Sequence, residues 1–198
     1  MSVAWTRQSD IVADLTTRLA RLRVPLGFVF GVLVLWLVQP TGTTLLIGSP
    51  IAVAGELLRI WAAGHLNKSR EVTSSGPYQW FAHPLYVGSA MMGVGLAIAS
   101  GSLLVAALIV VYLGSTITAA VRSEEAFLRA KFGAQYDRYR RGAAGERDAA
   151  ASTRRFSTAQ AAANREHRAV AGLVLAVLLL CLKASYNGVF WRAAGTSP

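Results

Sequence analysis

The chain has 198 residues, 54% of them hydrophobic and only 15% charged, with a mean hydropathy of +0.42 and a formal net charge of +10. Apolar runs near twenty residues in such a composition exclude an ordinary soluble domain and imply a polytopic membrane protein, in which surplus positive charge reflects the positive-inside bias and anionic headgroups. The lone Cys181 excludes an internal disulfide, His65, His83 and His167 lack zinc-ligand spacing, and no nucleic-acid motif accompanies the basic residues, so neither a metal nor a nucleic acid is expected.

Residues 1–23 form a basic, partly amphipathic arm carrying Arg7, Arg18, Arg21 and Arg23, with no evident cleavable signal. "VPLGFVFGVLVLWLVQP" (24–40) predicts a first transmembrane helix, with Pro25 near its start and Pro40 past its end. "TLLIGSPIAVAGELLRIWAAG" (44–64) predicts a second, with a kink expected at Pro50. Residues 65–83 are a polar connector punctuated by glycine and proline. "PLYVGSAMMGVGLAIAS" (84–100) and "SLLVAALIVVYLGSTITAAV" (102–121) predict a third and a fourth helix, and the single linking residue Gly101 imposes a tight antiparallel hairpin.

The stretch 122–168 is polar. Its first part, "RSEEAFLRAKFGAQYDRYRR", has helical periodicity, with Gly133 as the expected stop. The alanine-rich middle reads as a linker followed by a surface helix. "AVAGLVLAVLLLCLKASYNGVFW" (169–191) predicts a fifth span, in which Lys183 can snorkel to an interface. The expectation is a single all-α integral membrane domain over 1–198, with about five transmembrane helices and a cytoplasmic cap. Basic residues crowd the arm, the 65–83 connector and the 122–168 stretch. They place the N-terminus and both connectors in the cytoplasm and the C-terminus on the opposite side.

Chemistry gathers on that cytoplasmic face. "SSGPYQWFAHPLY" (74–86) holds turn formers at Gly76-Pro77 and His83-Pro84, with Pro84 suited to a first helical turn. Tyr78, Trp80 and Tyr86 suit an interfacial aromatic belt, or a surface for a cation or nucleobase. Gly88, Gly93 and Gly95 suit close helix packing, or backbone approach by a ligand. Glu124 and Glu125 stand where the fourth helix leaves the bilayer, although a helix exit favours cations. They are either solvated residues with partners such as Arg129, or carboxylates aimed at a basic or hydroxylated ligand. Glu56 and Arg59 lie within the second span at i,i+3. They form either a packing pair or a functional site, and Arg59 joins Glu124 and Glu125 as a candidate catalytic residue.

Together "GPYQWFAHPLYVGS", the following "GVG" and the later "SEEAFLRAKFGAQYDRYRR" resemble the isoprenylcysteine carboxyl methyltransferase and phospholipid methyltransferase superfamily. The resemblance covers about residues 55–141. It implies an integral membrane enzyme that uses S-adenosylmethionine in a cytoplasmic pocket and methylates a lipidic or hydrophobic small molecule. Carried over by position, it implies cofactor contacts at His65, Gly76, Pro77, Tyr78, His83, Pro84, Tyr86, Gly93, Gly95, Glu124 and Glu125. The pattern's arginine before His-Pro is Ala82 here, and Lys68, Arg70 or Arg122 is available to substitute from the same face. Two other readings stand beside this one: a membrane reductase using NADPH, and a non-catalytic scaffold of the same fold.

Overall fold

A computed structural model describes residues 31–67, 73–134, 136–137 and 155–187. The chain divides into two compact units, Met1–Leu37 and Val38–Pro198. In the first unit residues 31–37 are helical and belong to the expected first span, while the basic arm 1–23 and residues 24–30 lie outside the described residues.

The second unit is helical, without a strand among the described residues. Its helices are α1 (Gly42–His65), α2 (Pro84–Ala99), α3 (Leu103–Phe132), α4 (Thr158–Ala163) and α5 (Glu166–Tyr186), with a 3-10 turn at Gly76–Gln79. Three of them, α1, α3 and α5, are long and apolar enough to cross a membrane. The 16-residue α2 spans about 24 Å, short of a bilayer core of roughly 30 Å. Large apolar side chains on α3 and α5, among them Leu103, Val111, Leu178 and Leu182, are more than half exposed, as lipid-facing residues are. The protein is an all-α membrane protein, with three helices of spanning length among the described residues.

Thr41 caps α1 reciprocally with Thr44: each side chain accepts from the other's backbone N–H, at 2.9 and 3.1 Å. Pro50 sits inside α1 without ending it. The principal helix contact joins α1 to α2 through small residues seven apart, Gly48 and Gly55 on one helix, Gly88 and Gly95 on the other. A Cβ on Gly55 would lie 2.6 Å from the Gly88 carbonyl oxygen, and one on Gly95 would lie 2.6 Å from that of Gly48. The backbones therefore touch directly. Dispersion and close packing hold helices together where the hydrophobic effect offers little between them.

The expected hairpin of α2 and α3 forms, across a link of three residues, Ser100, Gly101 and Ser102, and not Gly101 alone. Gly101 adopts φ +63°, a left-handed conformation that side chains resist, and faces the Gln39 carbonyl. The Gln39 N–H donates to the Ser100 carbonyl at 2.8 Å, and Ser102 caps α3 by accepting from the Val105 N–H.

Two boundaries differ from expectation. The fourth span, expected to end at 121, and the polar helix expected after it form one unbroken helix, α3, which ends at the expected stop, Gly133 (φ +50°), whose N–H donates to the Arg129 carbonyl at 2.9 Å. Residues 122–132 contain no helix breaker, so polarity changes the solvent and not the backbone. The fifth helix begins at Glu166, three residues before the apolar run, because Glu166 is buried against Arg59 of α1.

Nor is the segment before α5 a mere surface linker. Asn164 donates from Nδ2 to the carbonyls of Ala63 and Leu66 at 2.8 and 3.0 Å. Gln160 donates to Leu66, and the Ser157 N–H to Gly64. These bonds satisfy the carbonyls that α1 leaves open at its C-terminal end. Phe156 fills the space that the absent side chain of Gly64 leaves. Residues 138–154 and 188–198 lie outside the described residues.

Candidate functional site

The turn into α2 is built around two histidines with different surroundings. Gly76 takes φ +58°, and a Cβ there would lie 2.7 Å from Nδ1 of His65. His65 is buried beneath the turn, and its Nδ1 lies 3.0 Å from the Trp61 carbonyl. His83 instead stands at the N-cap of α2 without capping it, followed by Pro84 at the first helical position. The Tyr86 and Val87 N–H groups donate to the His83 carbonyl at 3.0 and 3.1 Å, and the imidazole turns to other partners.

Those partners come from α3. His83 Nε2 lies 3.3 Å from Glu125 Oε1, and Nδ1 lies 3.9 Å from Glu124 Oε2. The His83 and Tyr86 ring centroids are 5.9 Å apart. The antiparallel hairpin explains the meeting: the N-terminal end of α2 lies beside the C-terminal part of α3, so residues 42 positions apart in sequence face each other. Glu125 also lies 3.8 Å from Arg129 Nη1, and Arg129 in turn pairs with Asp137 at 3.3 Å. Near this network Tyr136 is buried, and burial pushes its phenol pKa up, with Glu124 and Asp137 adding to the shift and Arg129 opposing it.

A cavity of about 820 Å³ opens between the α2–α3 corner and the start of α5. Arg59, Tyr78, His83, Tyr86 and Glu124 line it, together with Ala82. Glu125 reaches it through His83. His65, Gly76, Pro77 and Pro84 frame the turn but do not line the cavity. Gly93 packs against Leu113 of α3 and Gly95 against Ala52 and Gly48 of α1, so both adjoin neighbouring helices and not the cavity. Of the proposed substitutes for the arginine at position 82, Lys68 and Arg70 lie outside the described residues and Arg122 does not line the cavity.

Arg59 forms the base of a buried polar junction. It donates from Nη2 to both oxygens of Glu166 at 3.0 and 3.1 Å, and from Nη1 to the Ser89 hydroxyl. Its Nε lies 3.4 Å from Glu56 Oε2. Gly88 permits this, because a Cβ there would collide with the Arg59 side chain. The expected Glu56–Arg59 pair is present, but the stronger partner is Glu166, one turn ahead of the fifth apolar run. An acid just before an apolar run was the only sequence signal for it. Asn164, Arg165, Arg168 and Phe127 also line the cavity and were likewise not singled out from sequence. No group of three or more His, Cys, Asp or Glu residues placed to hold a metal ion occurs among the described residues.

This geometry coincides with similarity to known proteins. The chain is 32% identical over 108 residues to the nickel-cobalt-cadmium resistance protein NccN of Alcaligenes xylosoxydans xylosoxydans, a match covering 54% of this chain and 49% of that protein. It is 33% identical over 98 residues to the cobalt-zinc-cadmium resistance protein CzcN of Cupriavidus metallidurans, covering 48% and 44%. The chain thus spans about half the length of the curated relatives it matches. No solved structure matches it. The family model of phospholipid methyltransferases matches residues 26–135, a stretch that holds α1, the turn at Gly76, the α2–α3 hairpin and the Glu124-Glu125 pair. More than half of the sequence fits that pattern, and the chain belongs to the phospholipid methyltransferase family.

Proposed function

We propose that this protein transfers a methyl group from S-adenosylmethionine to a lipidic or hydrophobic small molecule at the cavity between α2, α3 and α5. The observation that carries the reading is His83, held between Glu124 and Glu125 at the wall of a cavity in a chain of this family. The metal-resistance names of the curated relatives do not enter it; membership of the methyltransferase family does.

The residues present fit the cofactor. Its size class falls within that of ligand cavities, roughly 300–1,000 Å³, and the cavity here measures about 820 Å³. Glu124 offers a carboxylate to a cationic donor. Tyr78, Tyr86 and Phe127 offer aromatic faces to a nucleobase, and Asn67 offers an amide to its polar edge. When bound, S-adenosylmethionine supplies a methyl group on a sulfonium, which is already a good electrophile.

The chain's own residues therefore have to position, desolvate and receive a proton. Holding two reactants in line supplies about 7–11 kcal/mol of barrier lowering without a strong acid. Glu124 fixes positive charge at one wall. Glu125, at 3.3 Å from His83 Nε2, holds the imidazole in place. An amine acceptor has to be uncharged when its lone pair attacks, and His83 is the group placed to take the released proton. Arg59 and Glu166 pin α1 to α5 beneath the reacting groups. The basic residues favour a cavity facing the cytoplasm, with the acceptor entering sideways from the bilayer.

Methyl transfer is tested by incubating the purified protein in phospholipid nanodiscs with methyl-labelled S-adenosylmethionine and an extract of bacterial membrane lipids. Label is expected in the organic-soluble fraction, and much less with Glu125→Gln. Absence of label with the folded wild-type protein, or equal label with both, contradicts the proposal.

A further inference from the structure

The cavity wall is polarised. One side, from α2 and α3, carries His83, Tyr86 and Glu124. The other, from the start of α5, carries Arg165 and Arg168 beside Glu166. Arg59 is taken up by Glu166 and Glu56, so it is not available to a ligand. Ala82 brings no charge. What remains is one carboxylate, Glu124, facing two guanidiniums.

Those two guanidiniums are uncommitted. Arg129 is engaged by Glu125 and Asp137, and Arg59 by Glu166 and Glu56. Among the described residues neither Arg165 nor Arg168 has a side-chain hydrogen bond or an ion pair. Both are exposed, and the backbone that carries Arg165 is held in place. Arg165 adopts φ 64° and ψ 28°, the left-handed region that non-glycine residues uncommonly adopt. The constraint comes from both neighbours: Asn164 is bound to the last carbonyls of α1, and Glu166 is bound to Arg59. Arg165, at the N-cap of α5, and Arg168, in its first turn, line the same cavity. Guanidinium groups pair with carboxylate and phosphate through two parallel hydrogen bonds, so two of them beside a cavity form a receiver for an oxyanion.

We propose that Arg165 and Arg168 bind the anionic group of a ligand whose positive end lies toward Glu124. This rests on the methyl-transfer reading, because it names the orientation of a ligand in that same cavity. An oxyanion has two possible sources there, the carboxylate of the donor's amino-acid tail or a phosphate of the acceptor.

The experiment compares wild type, Arg165→Gln/Arg168→Gln and Arg165→Lys/Arg168→Lys in uncharged detergent. Binding is measured for S-adenosylhomocysteine, for 5′-methylthioadenosine, which lacks the amino-acid tail, and for dodecyl phosphate, with thermal unfolding as a control. The glutamine variant is expected to bind either S-adenosylhomocysteine or dodecyl phosphate at least roughly tenfold more weakly, with unchanged unfolding and partial recovery in the lysine variant. A selective loss of S-adenosylhomocysteine with 5′-methylthioadenosine unaffected identifies the donor carboxylate. A selective loss of dodecyl phosphate identifies an acceptor phosphate. Both ligands bound within about twofold of wild type overturns the proposal even if wild type binds S-adenosylhomocysteine well. Failure of wild type to bind S-adenosylhomocysteine instead removes the methyl-transfer reading, and the dodecyl phosphate comparison then decides the oxyanion receiver by itself.

Discussion

Replacing Arg59 with methionine removes the one cation that two buried carboxylates share. Glu56 is 4% exposed and Glu166 7% exposed, and Arg59 lies 3.4 Å from the first and 3.0 Å from the second. Breaking a buried pair by deleting one partner costs about 3–5 kcal/mol, because the remaining charge keeps its desolvation penalty and loses its compensation. Here two charges are left, facing each other between α1 and α5, while the 19% exposure of the Arg59 side chain admits some screening. An expected loss of about 4 kcal/mol balances these effects and corresponds to a change on the order of a thousandfold in the unfolding equilibrium. The assay is denaturation in mixed micelles, followed by tryptophan fluorescence, with Trp61 on α1 as a nearby reporter. The triple variant Arg59→Met/Glu56→Gln/Glu166→Gln removes the stranded charges and is expected to recover more than half of the loss. A single variant within about 1 kcal/mol of wild type, or a triple variant no better than the single one, refutes the reasoning that charge compensation joins these helices.

Gly95→Leu forces a side chain into the α1 backbone and is expected to cost about 1–3 kcal/mol or more, whereas Gly114→Ala, with nothing within 4 Å of its Cβ, is expected to be neutral or stabilising by up to about 1 kcal/mol. Thermal unfolding of the two variants side by side checks the contrast. Glu125→Gln is expected to lower turnover by roughly 100-fold while cofactor KM changes little, since Glu125 acts through His83; steady-state kinetics at one pH separate the two parameters. Tyr136 has a raised phenol pKa, so its contribution to stability is present below about pH 10, the ordinary tyrosine range, and is lost as pH rises through the folded value. Tyr136→Phe is expected to flatten stability in that alkaline range, measured as the difference between the two unfolding curves.

Local chemistry made much of this legible. Gly101 marks the hairpin, Gly133 ends α3, and Pro84 opens α2, because each depends on backbone geometry within a few residues. The His83 meeting with Glu124 and Glu125 follows once that hairpin is granted. The roles of Gly93 and Gly95 were not legible, since spacing does not show whether a missing side chain faces a ligand or a helix. Glu166 was hidden for a related reason. Its partner, Arg59, is 107 positions away, and nothing local marks an acid at a helix start as buried. The bonds from Asn164 and Gln160 to the end of α1 are of the same long-range kind, invisible in an alanine-rich stretch that reads as linker.

Whether the cavity beside His83 holds a methyl donor is tested by calorimetric titration of the detergent-purified protein with S-adenosylhomocysteine and, separately, with NADPH. Saturable binding of S-adenosylhomocysteine, weakened by His83→Ala and little changed by Glu125→Gln, with no binding of NADPH, is the expected result. A folded protein that binds NADPH instead contradicts the claim in favour of a reductase, and one that binds neither contradicts it in favour of a scaffold.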